Sequence, residues 1–226
     1  MNLKRTLLLC IVFITSHSFA QAAPETYQID PVHSTIEFKI RHLGISWVTG
    51  SFAEFSGTTV FDEEKPESSS VSVTVKATSV DTRNTKRDTH LRSDDFFNIE
   101  KFPELTFKSN KVEKLTNNEF KVTGDFTLHG VTKPLVFTLT GTALVDGMQG
   151  EKRRGGETTF TIKRSDFGMS SSLGPVGDDV QITLAFSGIK QWVFRHVHPR
   201  DYNILVRELA VFCGCLSRRL SANQKA

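Results

Sequence analysis

The stretch RDTHLRSDDFFNIEKFPELTF, residues 87–107, gathers the side chains best suited to chemistry. Arg87, Asp88, His90, Arg92, Asp94 and Asp95 could donate, accept or stabilise a proton in transit, as general acid–base catalysis requires. Directly behind them come Phe96, Phe97, Phe102 and Phe107, which offer only apolar contact. The segment therefore reads either as a reaction centre beside a hydrophobic wall or as the polar rim of a hydrophobic pocket. Other reactive groups are sparse. His33-Ser34, or Asp88 with His90, supply fragments of a hydrolytic triad, but no Gly-x-Ser-x-Gly elbow is present. Neighbours on a strand point to opposite faces, so His33 and Ser34 do not meet there. His33, His42, His90 and His129 fall in no metal-binding spacing, and no cysteine lies between residues 11 and 212 to assist them. No catalytic residue and no metal ligand is assigned.

The elements that must carry these groups are strands. Ile36, Phe38 and Ile40 alternate with Glu37 and Lys39, and Val71, Val73 and Val75 with Ser72, Thr74 and Lys76. The same parity links Phe120, Val122, Phe126 and Leu128, then Leu135, Phe137 and Leu139, Phe160 and Ile162, and Val180, Ile182, Leu184 and Phe186. Alternation of this kind marks strands with one apolar and one wet face. About eight are expected, over 26–41, 46–62, 70–80, 104–116, 119–129, 131–146, 156–167 and 178–189. Only 84–98 breaks the period, and it reads as a short helix capped by Asp88 or Ser93. Strands do not alternate with helices, which excludes a parallel α/β fold and leaves an antiparallel barrel or sandwich. Several strands run to ~13 residues, or ~43 Å, so a barrel of them tilted by ~40° would stand over ~30 Å tall.

Composition narrows the function. Phe outnumbers every other aromatic, at 18 against two Tyr and two Trp. Fourteen of the Phe residues lie between 24 and 190, and Phe demands no polar partner when buried. The choice suits an ordinary apolar core or a cavity that stays apolar along its depth. The chain carries +3. Lys4 and Arg5 supply two of those charges and the tail beyond Lys190 a net four, leaving the body at −3, which argues against nucleic acid as a partner. At the N-terminus, Lys4 and Arg5, the apolar run Leu7 to Ile14 and Ala20-Gln21-Ala22 read as a secretory signal peptide over 1–22, cut after Ala22 or Ala23. A cysteine-free body exported this way is expected in a periplasm.

Six stretches together resemble the YceI-like family: DPVHS at 30–34, GSFAEFSG at 50–57, VDTRNTKRDTHLRSDDFF at 80–97, KFPELTFKS at 101–109, FTLHGVTKP at 126–134 and RSDFGMSSSLGPVGDDV at 164–180. They occur in family order and cover roughly 24–190. The resemblance implies an all-β fold: an extended, eight-stranded, antiparallel, lipocalin-like barrel with a hydrophobic pore and a short helix between the third and fourth strands. It implies a periplasmic, non-enzymatic protein that holds, stores or carries a long isoprenoid lipid, polyprenyl phosphate-like or an isoprenoid quinone. That lipid would be the ligand, with no cofactor. Some relatives pair, so a homodimer is among the expected states. Phe102 and Phe126 stand where the family often has Tyr and Leu; both stay apolar.

On this reading the pore wall is assigned to Phe38, Ile40, Trp47, Phe52, Phe97, Phe107, Phe126, Phe137 and Phe160. Inward parity supports Phe38, Phe126, Phe137 and Phe160, and the resemblance supplies the rest. The polar mouth is assigned to Arg83, Arg87, His90, Arg92 and Arg164, whose charge suits a phosphate or a quinone carbonyl. Ion pairing with Asp88, Asp94 and Asp95 is the competing role for these groups. An enzyme acting on such a lipid through 87–95 is the alternative function. Family members usually end near Ile189-Lys190, whereas this chain continues over 191–226. Ile204, Leu205, Leu209, Phe212 and Leu216, flanked by arginines, form either a basic amphipathic helix for peripheral membrane contact or an extension without evolved function. Cys213-Gly214-Cys215 is too tight for an ordinary disulfide.

Overall fold

The computed structural model describes residues 23–191. The signal segment 1–22 and, apart from Gln191, the extension 191–226 lie outside them. In chain order the first strands are β1 (Glu25–Ile29), β2 (Thr35–His42), β3 (Ser46–Phe52), β4 (Phe55–Phe61), β5 (Ser70–Lys76) and β6 (Val80–Asp81). A single α-helix among the described residues, α1 (Thr85–Arg92), follows. Then come β7 (Glu104–Lys114), β8 (Glu119–Leu128), β9 (Val131–Gly141), β10 (Val145–Asp146), β11 (Lys152–Lys163) and β12 (Val176–Lys190).

All the strand pairs are antiparallel, and β11, β9, β8, β7, β5, β4, β1 and β12 form a ring that β11 closes by pairing with β12. The fold is a closed eight-stranded barrel, as expected. The twelve segments reduce to eight because four long strands are each interrupted once, one of them at 142–144, where β10 continues β9 along β11. A 3-10 turn at Pro31–His33 divides β1 from β2, Ala53 and Glu54 separate β3 from β4, and a turn at Ala77–Ser79 separates β5 from β6. Beyond these breaks β2, β3 and β6 continue the sheet from β12, and α1 with the segment up to Pro103 covers the side where β6 has no further strand partner. Each of these three breaks switches the inner face from one parity to the other: from Tyr27 and Ile29 to Ile36 and Phe38, from Phe52 to Phe55, and from Val75 to Val80. One boundary differs more: β11 begins at Lys152, not 156, so the polar loop after Asp146 is shorter than expected.

The break at Asp30 has a specific physical basis. Asp30 caps the 3-10 turn by accepting from the Val32 amide at 3.0 Å, and Pro31 occupies the first turn, where no amide donor is needed. The same carboxylate accepts from Arg153 of β11 at 2.8 Å and contacts His33 Nδ1 at 2.8 Å. Ser34 Oγ donates to the Asp30 carbonyl at 2.6 Å and accepts from the Ser187 amide at 3.0 Å. The motif DPVHS is thus a clamp between the first strand and the closing seam. The Arg153 and His33 hydrogen bonds hold the Asp30 carboxyl down at about 2.

The β8–β9 hairpin turns on His129 and Gly130, both at positive φ (52° and 73°), with Leu128 opposite Val131. Two consecutive left-handed residues give the hairpin the twist its strands require. A Cβ on Gly130 would lie 2.3 Å from the Phe102 ring.

The outer face is charged. Glu37, Lys39, Arg41, Lys108 and Lys121 point away from the apolar columns, the inverse of a barrel whose outer band faces lipid.

Two outcomes are expected. Gly130→Ala should destabilise the barrel by ~1–3 kcal/mol in urea denaturation, from the positive φ and the Phe102 contact together. Asp30→Asn should lower the urea midpoint at pH 7. A depressed carboxyl contributes stability that is complete above its unfolded value of 3.8 and is lost as pH falls through about 2, so variant and wild type should converge there.

Candidate functional site

The inner faces of the strands enclose an apolar cavity of about 190 Å³ that runs between the two ends of the barrel. Its wall is mostly Phe, Leu, Ile and Val. The polar residues on it are largely satisfied within the wall: Thr158 donates to the Thr138 carbonyl at 2.7 Å. Rings meet across the lumen. Phe137 lies 5.3 Å from Phe107 and 5.3 Å from Phe160, stacked on the latter. Phe52 packs on Phe38 and edge-on to Phe97, each at 5.7 Å. Gly124 leaves room for this arrangement, since a Cβ there would fall 2.6 Å from the Phe107 ring.

The burial pattern separates a lumen from a solid core. Val80 and Val122 are fully buried. Yet Phe38, Ile40, Phe137, Phe160, Ile182 and Leu184, all on inner faces, remain only half-buried. In a filled sandwich such residues would be covered on all sides. Here their uncovered surface faces the cavity.

Eight of the nine residues assigned to the wall line this cavity: Phe38, Ile40, Phe52, Phe97, Phe107, Phe126, Phe137 and Phe160. Trp47 does not, and corrects the sequence reading. It is paired across the ladder with Arg41, is 46% exposed, and stacks on the outside under the Arg41 guanidinium at 4.0 Å. Trp47 and Phe52 are five residues apart on one unbroken strand, so the pleat sends them to opposite faces. Sequence reasoning missed several wall residues, among them Leu91 from the helix, Met169 from a loop and Val176 from the start of β12.

The polar-mouth assignments need a larger correction. Arg83, Arg87, His90 and Arg92 do not line the cavity. The N-cap of the helix is Asn84, which accepts from the Arg87 amide at 3.0 Å, not Asp88 or Ser93; Ser93 instead caps the C-terminal end, its hydroxyl donating to the His90 carbonyl at 2.7 Å. Asp88 is buried and accepts from the Thr82 amide and hydroxyl at 2.9 and 2.5 Å. Arg87 donates to the Thr82 hydroxyl and carbonyl at 2.7 and 2.8 Å. Arg92 donates to the Thr78 and Val80 carbonyls at 2.8 and 2.7 Å. His90 pairs with Asp95 at 2.9 Å on the surface, its ring edge-on to Phe96. Arg83 lies at φ 60° beside an outer groove with Asp81, Glu37 and Lys39. These groups therefore fasten α1 across residues 78–82, so that Leu91, Phe96 and Phe97 are presented to the lumen.

Arg164 alone of the five reaches the cavity wall. It is 3% exposed and donates to four backbone carbonyls: Gly177 at 2.8 Å, Met169 at 2.7 Å, Ser171 at 2.8 Å and Val176 at 3.1 Å. Burial lowers its pKa from the ordinary arginine value. Its task is to hold the 169–177 loop over this end of the barrel. The 87–95 groups make no constellation of nucleophile and base. Ser34 donates to a carbonyl, and among the described residues no three His, Cys, Asp or Glu side chains converge as metal ligands.

The fold and cavity together define the class as a closed antiparallel barrel around a long apolar cavity. Comparison with known proteins gives the family. Residues 27–187 match the YceI-like domain, and the chain belongs to that family. It is 40% identical over 191 residues to Protein YceI of Escherichia coli O6:H1, covering 84% of this chain and 100% of that protein. Among solved structures, the Campylobacter jejuni YCEI protein superposes with a TM-score of 0.61 at 36% identity, over 67% of this chain and 90% of that one. A polyisoprenoid binding domain from Saccharophagus degradans implicated in plant cell wall breakdown shares the fold at a TM-score of 0.59 and 17% identity, over 73% of this chain and 98% of that one.

An open lumen and a packed core respond oppositely to added volume. Phe137→Trp should cost under ~1 kcal/mol, because the larger ring grows into the cavity. Val80→Phe, at a position with no free space, should cost ~1–3 kcal/mol. Equal costs in urea denaturation would contradict the open lumen.

Proposed function

We propose that this protein binds the long apolar chain of an isoprenoid lipid inside the barrel, and holds, stores or carries it in the periplasm after removal of the signal peptide. The ligand class is a polyprenyl phosphate or an isoprenoid quinone. The observation that carries the reading is the column of half-buried inner residues facing one apolar cavity along the barrel. Family membership supports it, as does the polyisoprenoid-binding description of the Saccharophagus domain.

The energetics are favourable without any chemistry. Burial of each CH₂ contributes ~0.8 kcal/mol, so each five-carbon isoprene unit contributes ~3–4 kcal/mol gross. Association costs ~4–15 kcal/mol. A chain of four or more units offsets that cost, which favours long prenyl chains over short ones. Within 87–95, Arg87, Asp88 and Arg92 fasten α1 and His90 pairs with Asp95 on the surface, and this favours a binding protein over an enzyme.

Mass spectrometry of the organic extract of protein purified from its native host provides the test. One prenyl lipid per chain is the expected result. A lipid-free protein that also fails to take up octaprenol would refute the proposal.

A further inference from the structure

The inner column of β11 begins and ends with a cation. Arg154, Gly156, Thr158, Phe160, Ile162 and Arg164 share one parity, so a guanidinium stands at each end of the lumen, ten residues or ~33 Å apart. The two differ in how their donors are used. Arg164, at the helix end, spends its donors on four carbonyls. Arg154, at the opposite end, has a buried Nε with no hydrogen-bond partner. Its guanidinium lies over the Phe61 ring at 4.1 Å, and its carboxylate contact is Glu63 at a loose 3.8 Å, with the Glu63 side chain 77% exposed. Tyr27 is fully buried nearby, with its hydroxyl donated to Glu25. Burial and the Glu25 hydrogen bond push the Tyr27 hydroxyl up to about 12, against a hydrogen bond from Arg154 that acts the other way, and the Glu25 carboxylate also lies within reach of the Arg154 charge.

Arg154 lines a second chamber of about 390 Å³. Unlike the lumen, this chamber is mixed in character: Lys114, Asn117, Asn118 and Thr142 join Phe61 and Phe120 around it. Thr59, Val71, Leu139 and Phe186 line both spaces, so the chamber adjoins the apolar pore. The unmet Nε costs free energy that an incoming oxygen would recover once the partly exposed Arg154 side chain turns it toward the chamber.

We propose that this chamber is the head-group site of the pore, with Arg154 as the residue that recognises an acceptor oxygen on the lipid head. The proposal rests on the lipid-binding reading above and gives the bound lipid a direction. The head lies at the Arg154 end, and the prenyl tail runs toward Phe96 and Phe97 beneath α1. Phe61 fixes the guanidinium plane, and Lys114, Asn117 and Asn118 offer further donors. Phosphate and quinone heads share the required chemistry, an accepting oxygen. The phosphate gains most, because its charge also meets the guanidinium.

Three probes of equal chain length distinguish the outcomes on the full mature chain after lipid extraction: octaprenyl phosphate, an octaprenylated benzoquinone and octaprenol. Native mass spectrometry or a titration gives Kd for each. Arg154→Gln should weaken octaprenyl phosphate by about 10- to 100-fold, the quinone less, and octaprenol by under twofold. Retained octaprenol binding shows that the variant keeps its barrel. Glu63→Gln should tighten octaprenyl phosphate and leave octaprenol unchanged, since the loose counter-ion no longer competes. Equal losses for phosphate and alcohol in Arg154→Gln, or no loss in either, would overturn the head-group assignment while leaving lipid binding standing. A wild-type chain that binds none of the three would overturn the lipid reading itself, and the assignment with it.

Discussion

The molecule depends on one seam. β11 pairs with β12 without a slip from Arg153 opposite Ile189 to Lys163 opposite Asp179. This pairing closes a curled sheet into a tube and fixes which residues face inward. A shift of one residue would exchange the faces, sending Phe160 and Ile162 to water and Glu157, Thr159 and Thr161 into the lumen. The polar clamps lie at the two ends of the same seam. Arg153 and Asp30 tie it to the first strand at one end, and Arg164 ties it to the following loop at the other. Along its length Thr159 and Thr183 meet across the outer face at 3.1 Å. The register therefore has a ladder and two end stops, and the pore is a consequence of both.

Much of this was legible in the sequence, for a physical reason. Period-two alternation is a local property, and a barrel with one wet face writes it into every strand. Phe38, Phe126, Phe137 and Phe160 could be placed inward by parity alone. The same rule, applied strictly within 46–52, would have excluded Trp47 once Phe52 was placed inside. Within one segment parity reports the face, but an interruption shows only as a change of parity between segments. The breaks at Pro31–His33, at 53–54 and at Ala77–Ser79 each switch the inner face between odd and even positions, and the switch is visible in the sequence only once both flanking segments are placed inward. The partners of long cationic side chains were not legible. Arg87, Arg92 and Arg164 all bond to backbone carbonyls, and a carbonyl has no residue identity to read.

That difference explains why the 87–107 stretch misleads when read alone. Its Asp, His and Arg residues have the composition of a reaction centre, but α1 buries only Asp88. A helix so polar cannot be held on a barrel by hydrophobic contact alone. It is held by charge-assisted hydrogen bonds to a strand end, from Arg87, Asp88 and Arg92 to residues 78–82. Phe96 and Phe97 then reach the lumen because the helix above them is fixed. The polar half of the segment serves the apolar half, and the two are parts of one cap.

An open apolar lumen also bears on stability. Every inner side chain left half-buried forgoes part of the ~25 cal/mol per Å² that full burial would contribute. The chain has no disulfide to compensate within the barrel, since no cysteine lies between residues 11 and 212. Stability must come from the ladders, from the closed ring that leaves few bare edges, and from the end clamps. The clamps are polar, and so are both ends of the tube, but they are not equivalent. The Arg164 end is saturated by its own backbone and is therefore structural. The Arg154 end keeps an unmet Nε donor beside a chamber that adjoins the pore. A tube stabilised equally at both ends would satisfy both arginines internally. The asymmetry is intelligible if one end is required to meet a polar group that the folded chain does not itself supply.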